Sequence, residues 1–224
     1  MKKIILLAVV LPMICGFAMN VNAQSINLKA GLFYPTLQSD LWESNLENLE
    51  FAKQDMLAGY YALEYEQFLS RHFSFSIEGS YYQKEHNSMY RDYEYQNGDA
   101  IYQSLSLETT ALEVGFKVYP FGHQTTFYPY LGVSGGVCYW KYEQWGDFID
   151  FENNTVDENQ YLESSTYTPG MSAKAGFVFR PTRSLGIGFE GRYQSYKGPL
   201  SFFVDFEKLD LSGFSATVGL HWFF

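Results

Sequence analysis

GFSATVGLHWFF, residues 213–224, closes the chain and decides how the rest is read. Taken in twos, Phe214, Ala216, Val218, Leu220, Trp222 and Phe224 fall on one face. Gly213, Ser215, Thr217, Gly219 and His221 fall on the other, with Phe223 the exception. A period of two belongs to a β-strand, and one side of this strand is wholly apolar. That side has to meet either a protein core or hydrocarbon.

The same alternation recurs over 25–35, 57–68, 72–84, 105–119, 127–141, 166–180 and 184–196. Phe73, Phe75, Ile77, Gly79 and Tyr81 share one face, as do Leu185, Ile187, Phe189, Gly191 and Tyr193. With the closing stretch these runs make eight strands. The connections after the second, fourth and sixth are short, and Pro181-Thr182-Arg183 reads as a tight turn. Those after the first, third, fifth and seventh are longer, spanning 36–56, 86–104, 142–165 and 197–209. Tight turns at one end and long loops at the other are the rhythm of a transmembrane barrel. Leu105 and Leu107 fall out of phase with Leu112, Val114, Phe116 and Val118, which predicts a bulge near Thr109-Thr110.

Composition agrees. Aromatic residues make up 19% of the 224, yet outside the N-terminus no apolar run approaches the roughly 18 residues of a spanning helix. The N-terminus reads as an export signal: Lys2 and Lys3, an apolar stretch from Ile4 to Phe17, and Val21-Asn22-Ala23 as a cleavage site. Residues 1–23 are therefore set apart from a barrel domain over 24–224. Met13 and Ile14 are too large to precede a lipidated cysteine, so Cys15 belongs to the signal core, and Cys138 remains as a small packed side chain with no disulfide partner. Of 15 Lys and Arg, Lys2 and Lys3 leave with the signal, so 13 face 25 Asp and Glu, and the basic footprint of a nucleic-acid binder is absent.

The polar positions indicate which way the apolar face points. Opposite it lie Asn27, Lys29, Glu64, Glu66, Ser76, Glu78, Glu113, Lys117, Ser172, Lys174, Glu190 and Arg192. A soluble, lipocalin-like barrel would simply solvate these side chains. Mixed signs at mid-strand suit a sealed interior in which each buried charge needs a partner. The expected network is Lys29, Glu64, Glu78, Glu113, Lys117, Lys174, Glu190 and Arg192. Tyr34, Tyr193, Trp222 and Phe224, with Trp140 nearby, put aromatics at strand ends, as in interfacial girdles. In lipid the last strand must zip onto the first, because no backbone group can be left unpaired. The fold class is thus an all-β, eight-stranded antiparallel up-and-down transmembrane β-barrel, and a monomer.

LEVGFKVYPFG (112–122), FYPYLGVSGGV (127–137), AGFVFRPTRSLGIGFEGRYQ (175–194) and FSATVGLHWFF (214–224) resemble the small outer-membrane β-barrel proteins of the OmpA/OmpX/OmpW type, and most of all the compact barrels common in Gram-negative Bacteroidota. The resemblance covers nearly all of 24–224. It implies the cell outer membrane as location, outer-membrane lipid and the barrel-assembly machinery as partners, and Trp222 and Phe224 as the assembly signal. It does not fix an activity.

Four activities are weighed. Eight strands enclose an interior that side chains fill, so the charges plug a channel unless Gly132, Gly136, Gly176, Gly186 and Gly188 leave gaps for water. A lipid A-modifying enzyme needs a serine and its base in reach. His86-Asn87-Ser88 with Glu85 offers the residue types without the surrounding motif, and His221 reads as structural, so no catalytic residue is assigned. The loop 142–165 is rich in carboxylates but lacks ordered Ca²⁺-loop spacing, so neither metal nor cofactor is assigned. Trp42, Tyr93, Tyr95, Trp145 and Phe148 lie among acids in the long loops, which suits recognition of an extracellular protein or glycan. The expected role is structural or surface-interactive, with a narrow channel and a lipid A-modifying enzyme as second and third readings.

Overall fold

The computed structural model describes residues 24–150, 155–200 and 206–224, and the expected export signal lies outside them. The elements are β1 (Gln24–Pro35), α1 (Asp40–Asn48), a 3-10 turn (Lys53–Met56), β2 (Ala58–Ser70), β3 (Phe73–Glu94), β4 (Ala100–Val118), β5 (Phe127–Asp150), β6 (Thr155–Phe179), β7 (Leu185–Pro199), β8 (Lys208–Asp210) and β9 (Gly213–Phe223).

Every pairing is antiparallel. Each strand from β1 to β7 bonds the next, β7 also bonds β9, and β9 returns to β1. The seam runs from Pro35↔Gly213 to Ser25↔Phe223, and reciprocal bonds of 3.0 Å between Gln24 and Phe224 extend it. The eight long strands thus form a ring of pairings in which none has a free edge. Among the described residues, three-residue β8 pairs only with the far end of β7.

Alternation sorts the side chains cleanly. Ile187 and Val218 are 46% and 50% exposed, whereas Lys174 and Glu190 are 3% and 7% exposed. At the level of these residues the apolar side chains point out and the charges point in. Outward aromatics form two bands. Cross-strand register links Tyr61, Tyr81, Thr110, Tyr139 and Tyr167 in one row, with Tyr193, Phe214 and Tyr34 in another at the same end. Phe73, Phe127, Phe179 and Trp222 ring the tight-turn end. Phe223, the exception in the closing strand, turns inward and packs on Phe68 beneath the lumen, with ring centroids 6.4 Å apart.

Three expectations are corrected. The segments 86–104 and 142–165 are not loops but hairpin arms: β3 runs to Glu94, β4 starts at Ala100, β5 runs to Asp150 and β6 starts at Thr155. Polarity is a poor loop signal there, because an antiparallel hairpin that faces water on one side needs no apolar outer face. No bulge interrupts β4, since its register with β3 is continuous from Val118 to Tyr102. Leu105 and Leu107 share the inward phase of Glu113 and Lys117 and are fully buried, because the lumen itself turns apolar at this level. Finally, the lumen glycines are filled spaces. A Cβ on Gly132 would come within 3.1 Å of the Lys174 stem and 3.2 Å of the Lys117 stem, and one on Gly176 within 2.7 Å of the Tyr130 hydroxyl. Small residues here admit the large side chains paired with them on the adjacent strands.

The segment after β1 closes the loop-side mouth. Asp40 and Glu43 sit in the first turn of α1, where carboxylates complement the helix dipole. Leu41, Trp42 and Asn45 form its buried face. Leu41 and Trp42 join Leu37, Leu49, Phe51 and Met56 in a core with Leu105, Leu107, Trp140 and Tyr142 from the barrel wall.

Candidate functional site

All eight charges expected in the lumen lie in one linked network, together with Glu66. They arise at mid-strand on the inward phase of β1, β2, β3, β4, β6 and β7. The Lys29 ammonium is 3.3 Å from Glu64, 2.7 Å from Glu78 and 2.9 Å from Glu190. Lys174 meets Glu64 at 3.1 Å and Glu78 at 3.3 Å. Lys117 meets Glu64 at 2.5 Å and Glu66 at 3.2 Å. Arg192 bridges Glu78 and Glu113, the latter at 2.5 Å. Such burial is tolerated only when each charge is paired and its remaining lone pairs are hydrogen-bonded.

The network holds five carboxylates and four cations, and neutral donors complete it. Glu66 accepts from the hydroxyls of Ser74 at 2.5 Å and of Tyr119, and from the Asn27 amide at 3.3 Å. Glu190 accepts from Tyr130 at 2.6 Å. Glu113 accepts from Ser134 at 2.6 Å, Ser172 at 2.9 Å and Tyr196. Sequence reading placed eight of the nine charges in the network and put Glu66, Asn27 and Ser172 on the inward face, but missed the hydroxyls of Ser74, Tyr119, Tyr130, Ser134 and Tyr196. Their inward parity was the available signal: Tyr130 alternates with Leu131, and Tyr196 with Ser195. Glu64, Glu78 and Glu190 bring carboxylate oxygens within 4.8 Å of one another, a spacing that suits a cation. The Lys29 ammonium occupies that position within the triad.

Above the charges the mouth is held shut by Asp210. Its carboxylate accepts from the Thr36 hydroxyl at 2.6 Å, the Gln38 amide at 3.1 Å and the Ser212 amide at 3.2 Å. Its carbonyl accepts from the Trp42 indole at 2.9 Å. Asn45 donates to the Tyr142 hydroxyl at 3.0 Å and accepts from Gln144 at 3.3 Å, and Gln144 also donates to Gln103 at 2.7 Å.

This corrects Trp42 as a surface-recognition residue. It is 0% exposed, because α1 turns it into the barrel, where it packs edge-on against Tyr142. The other recognition candidates divide. Tyr93 is exposed and Tyr95 half-buried near the β3–β4 tip, while Trp145 and Phe148 are half-buried within β5 rather than in a loop. Tyr93 and Tyr95 line a cleft of about 1130 Å³ between the β3–β4 and β5–β6 tips, with Glu94, Asp99, Asp147 and Glu158. The Asp147 carboxylate, hydrogen-bonded to Tyr95, pushes its phenol up to about 12. Further down the outer wall, above the aromatic row, Lys141 lies 2.7 Å from Glu143 and 3.6 Å from Glu163. Partial burial pushes the Glu143 carboxyl up, but hydrogen bonds from Lys141 and Tyr161 outweigh it and hold it below the usual range.

The His86-Asn87-Ser88 group does not assemble as a catalytic set. His86 and Ser88 face inward on β3 while Glu85 and Asn87 face outward. His86 lies 4.0 Å from Asp55 and packs on Phe51, and among the described residues the Ser88 hydroxyl has no hydrogen-bond partner. His221 is buried in the lumen against Phe223. Trp222 and Phe224 are both exposed on the outer wall at the tight-turn end.

No family model matches the chain, and no curated protein matches it. Solved structures do. The outer membrane protein OprG from Pseudomonas aeruginosa aligns over 91% of this chain and 96% of its own, at 13% identity and a TM-score of 0.54. A major outer membrane protein from Thermus thermophilus aligns over 90% and 99%, at 12% identity and a TM-score of 0.46. At such identity the similarity to OprG is one of fold: an antiparallel β architecture that resembles known outer-membrane barrel proteins.

Proposed function

We propose that the chain is an integral outer-membrane protein, an eight-stranded transmembrane barrel whose acidic, aromatic outer hairpins serve surface contact rather than transport. The single observation that carries this reading is the inversion of a soluble protein. Leu28, Val133, Met171 and Phe214 are exposed on the wall while nine charged side chains are buried and paired within. Contiguous apolar surface on this scale marks contact with a membrane or partner. Two aromatic bands bound it, as at the two interfaces of a bilayer, and the fold neighbour OprG is an outer membrane protein. The plug of ion pairs below and the Trp42 cap above support a closed lumen. The cleft between the hairpin tips supports recognition of an extracellular protein or glycan.

The test is reconstitution of residues 24–224 in planar bilayers and in vesicles. The proposal expects insertion with heat-modifiable migration and no stepwise conductance. Insertion with steady conductance would favour a narrow channel. A chain that stays in the aqueous phase would end the membrane reading.

A further inference from the structure

The two ends of the barrel carry opposite charge. The tight-turn connections, 70–72, 119–126 and 180–184, contain Arg71, Arg180 and Arg183 with His72 and His123, and no Asp or Glu side chain. At the other end, acids such as Asp40, Glu43, Asp92, Glu94, Asp147 and Glu158 predominate. Among the described residues, Arg71, Arg180 and Arg183 make no ion pair.

Two of these arginines are held in place. The Arg71 carbonyl accepts from the His123 amide at 3.1 Å, tying two turns together. Its side chain lies across Gly122, which has φ +79° and where a Cβ would come within 2.6 Å of the Arg71 Nε. Arg180 stacks its guanidinium 4.1 Å over the Phe223 ring at the lumen mouth and donates to the Arg183 carbonyl. Arg183 itself projects into solvent. Each cation adjoins an outward apolar anchor: Leu69 and Phe73 flank Arg71, Phe179 precedes Arg180, and Leu185 follows Arg183. Apolar anchors at acyl depth with guanidinium groups just beyond them match the layering of a bilayer surface.

We infer that this end of the barrel is a docking collar for anionic phospholipid headgroups, with the Arg71 and Arg183 guanidinium groups pairing with lipid phosphate. The inference rests on the membrane reading above. The two are separable, because insertion depends on the apolar belt and headgroup preference on the arginines.

The experiment reconstitutes residues 24–224 in vesicles of phosphatidylcholine alone and of phosphatidylcholine with an equal share of phosphatidylglycerol. The lipid retained around the extracted protein is then quantified. The collar predicts insertion into both and enrichment of phosphatidylglycerol around the wild type. R71Q/R183Q is expected to insert equally but to lose roughly tenfold in headgroup preference at low salt. R71K/R183K should keep most of the preference, and neutralising Asp40 and Glu43 at the other end should not lower it. Equal enrichment in wild type and R71Q/R183Q overturns the collar, as does full displacement by millimolar inorganic phosphate, which would indicate a free-anion site. Failure to enter phosphatidylcholine vesicles would instead overturn the membrane reading itself.

Discussion

Lys29→Met is the most informative single change in the lumen. It removes the ammonium from Glu64, Glu78 and Glu190 while roughly keeping the side chain's length and volume. The three acids are not equally exposed to the loss. Glu64 keeps Lys117 and Lys174, and Glu78 keeps Lys174 and Arg192. Glu190 keeps the Tyr130 hydroxyl at 2.6 Å and no ion pair among the described residues. Breaking a buried pair from one side costs about 3–5 kcal/mol, because a desolvated charge is left behind. The loss should fall in that range, by urea unfolding in phospholipid vesicles followed by tryptophan fluorescence. Adding Glu190→Gln should recover about 2 kcal/mol or more, since it neutralises the orphan. Adding Glu113→Gln, which pairs with Arg192 and does not touch Lys29, should recover nothing. A loss below about 1 kcal/mol, or equal rescue by both glutamines, would refute the network as drawn.

Three further outcomes follow from the same geometry. Arg192→Lys should destabilise by about 1–3 kcal/mol, because a point-like ammonium cannot span Glu78, Glu113 and the Tyr60 hydroxyl; urea unfolding checks it, and an unchanged midpoint contradicts it. Asp210→Ala should loosen the cap by roughly 1.5–3 kcal/mol, read as faster amide exchange over 36–56 with protection of β1 and β9 unchanged; exchange that rises equally everywhere would mean the cap is not a separate unit. Glu143 titrates below its ordinary range, so its pairing is complete at neutral pH and is lost as pH falls through that lowered value. Lys141→Met should raise the Glu143 midpoint in a carbon-detected NMR titration, and an unmoved midpoint would show that the pair is not formed.

Much of this was legible because β-structure writes its two faces at a period of two. Lys29, Glu64, Lys174 and Arg192 could be assigned to one interior from parity alone, without knowing which acid meets which base. Three things were hidden. Barrel shear brings together residues distant along the chain, so Tyr196 meeting Glu113 follows from register and not from spacing. The interior also changes character with height. Leu105 and Leu107 looked out of phase and Trp42 was read as an exposed loop residue, whereas a helix folded into the mouth buries Trp42 against an apolar wall. Asp210 gave no signal at all: it sits between Leu209 and Leu211 in a stretch without clear periodicity, and its role depends on Thr36, Gln38 and Trp42 arriving from the opposite end of the sequence.

The central claim is that the outer wall faces hydrocarbon. Its most direct test places single cysteines at Ala216, Val218 and Leu220 in a Cys138→Ala background, attaches a small fluorophore, and measures quenching by bromine on lipid tails against quenching by aqueous iodide. The account predicts strong quenching from the tails and little from iodide at all three positions. Iodide quenching without tail quenching would contradict it.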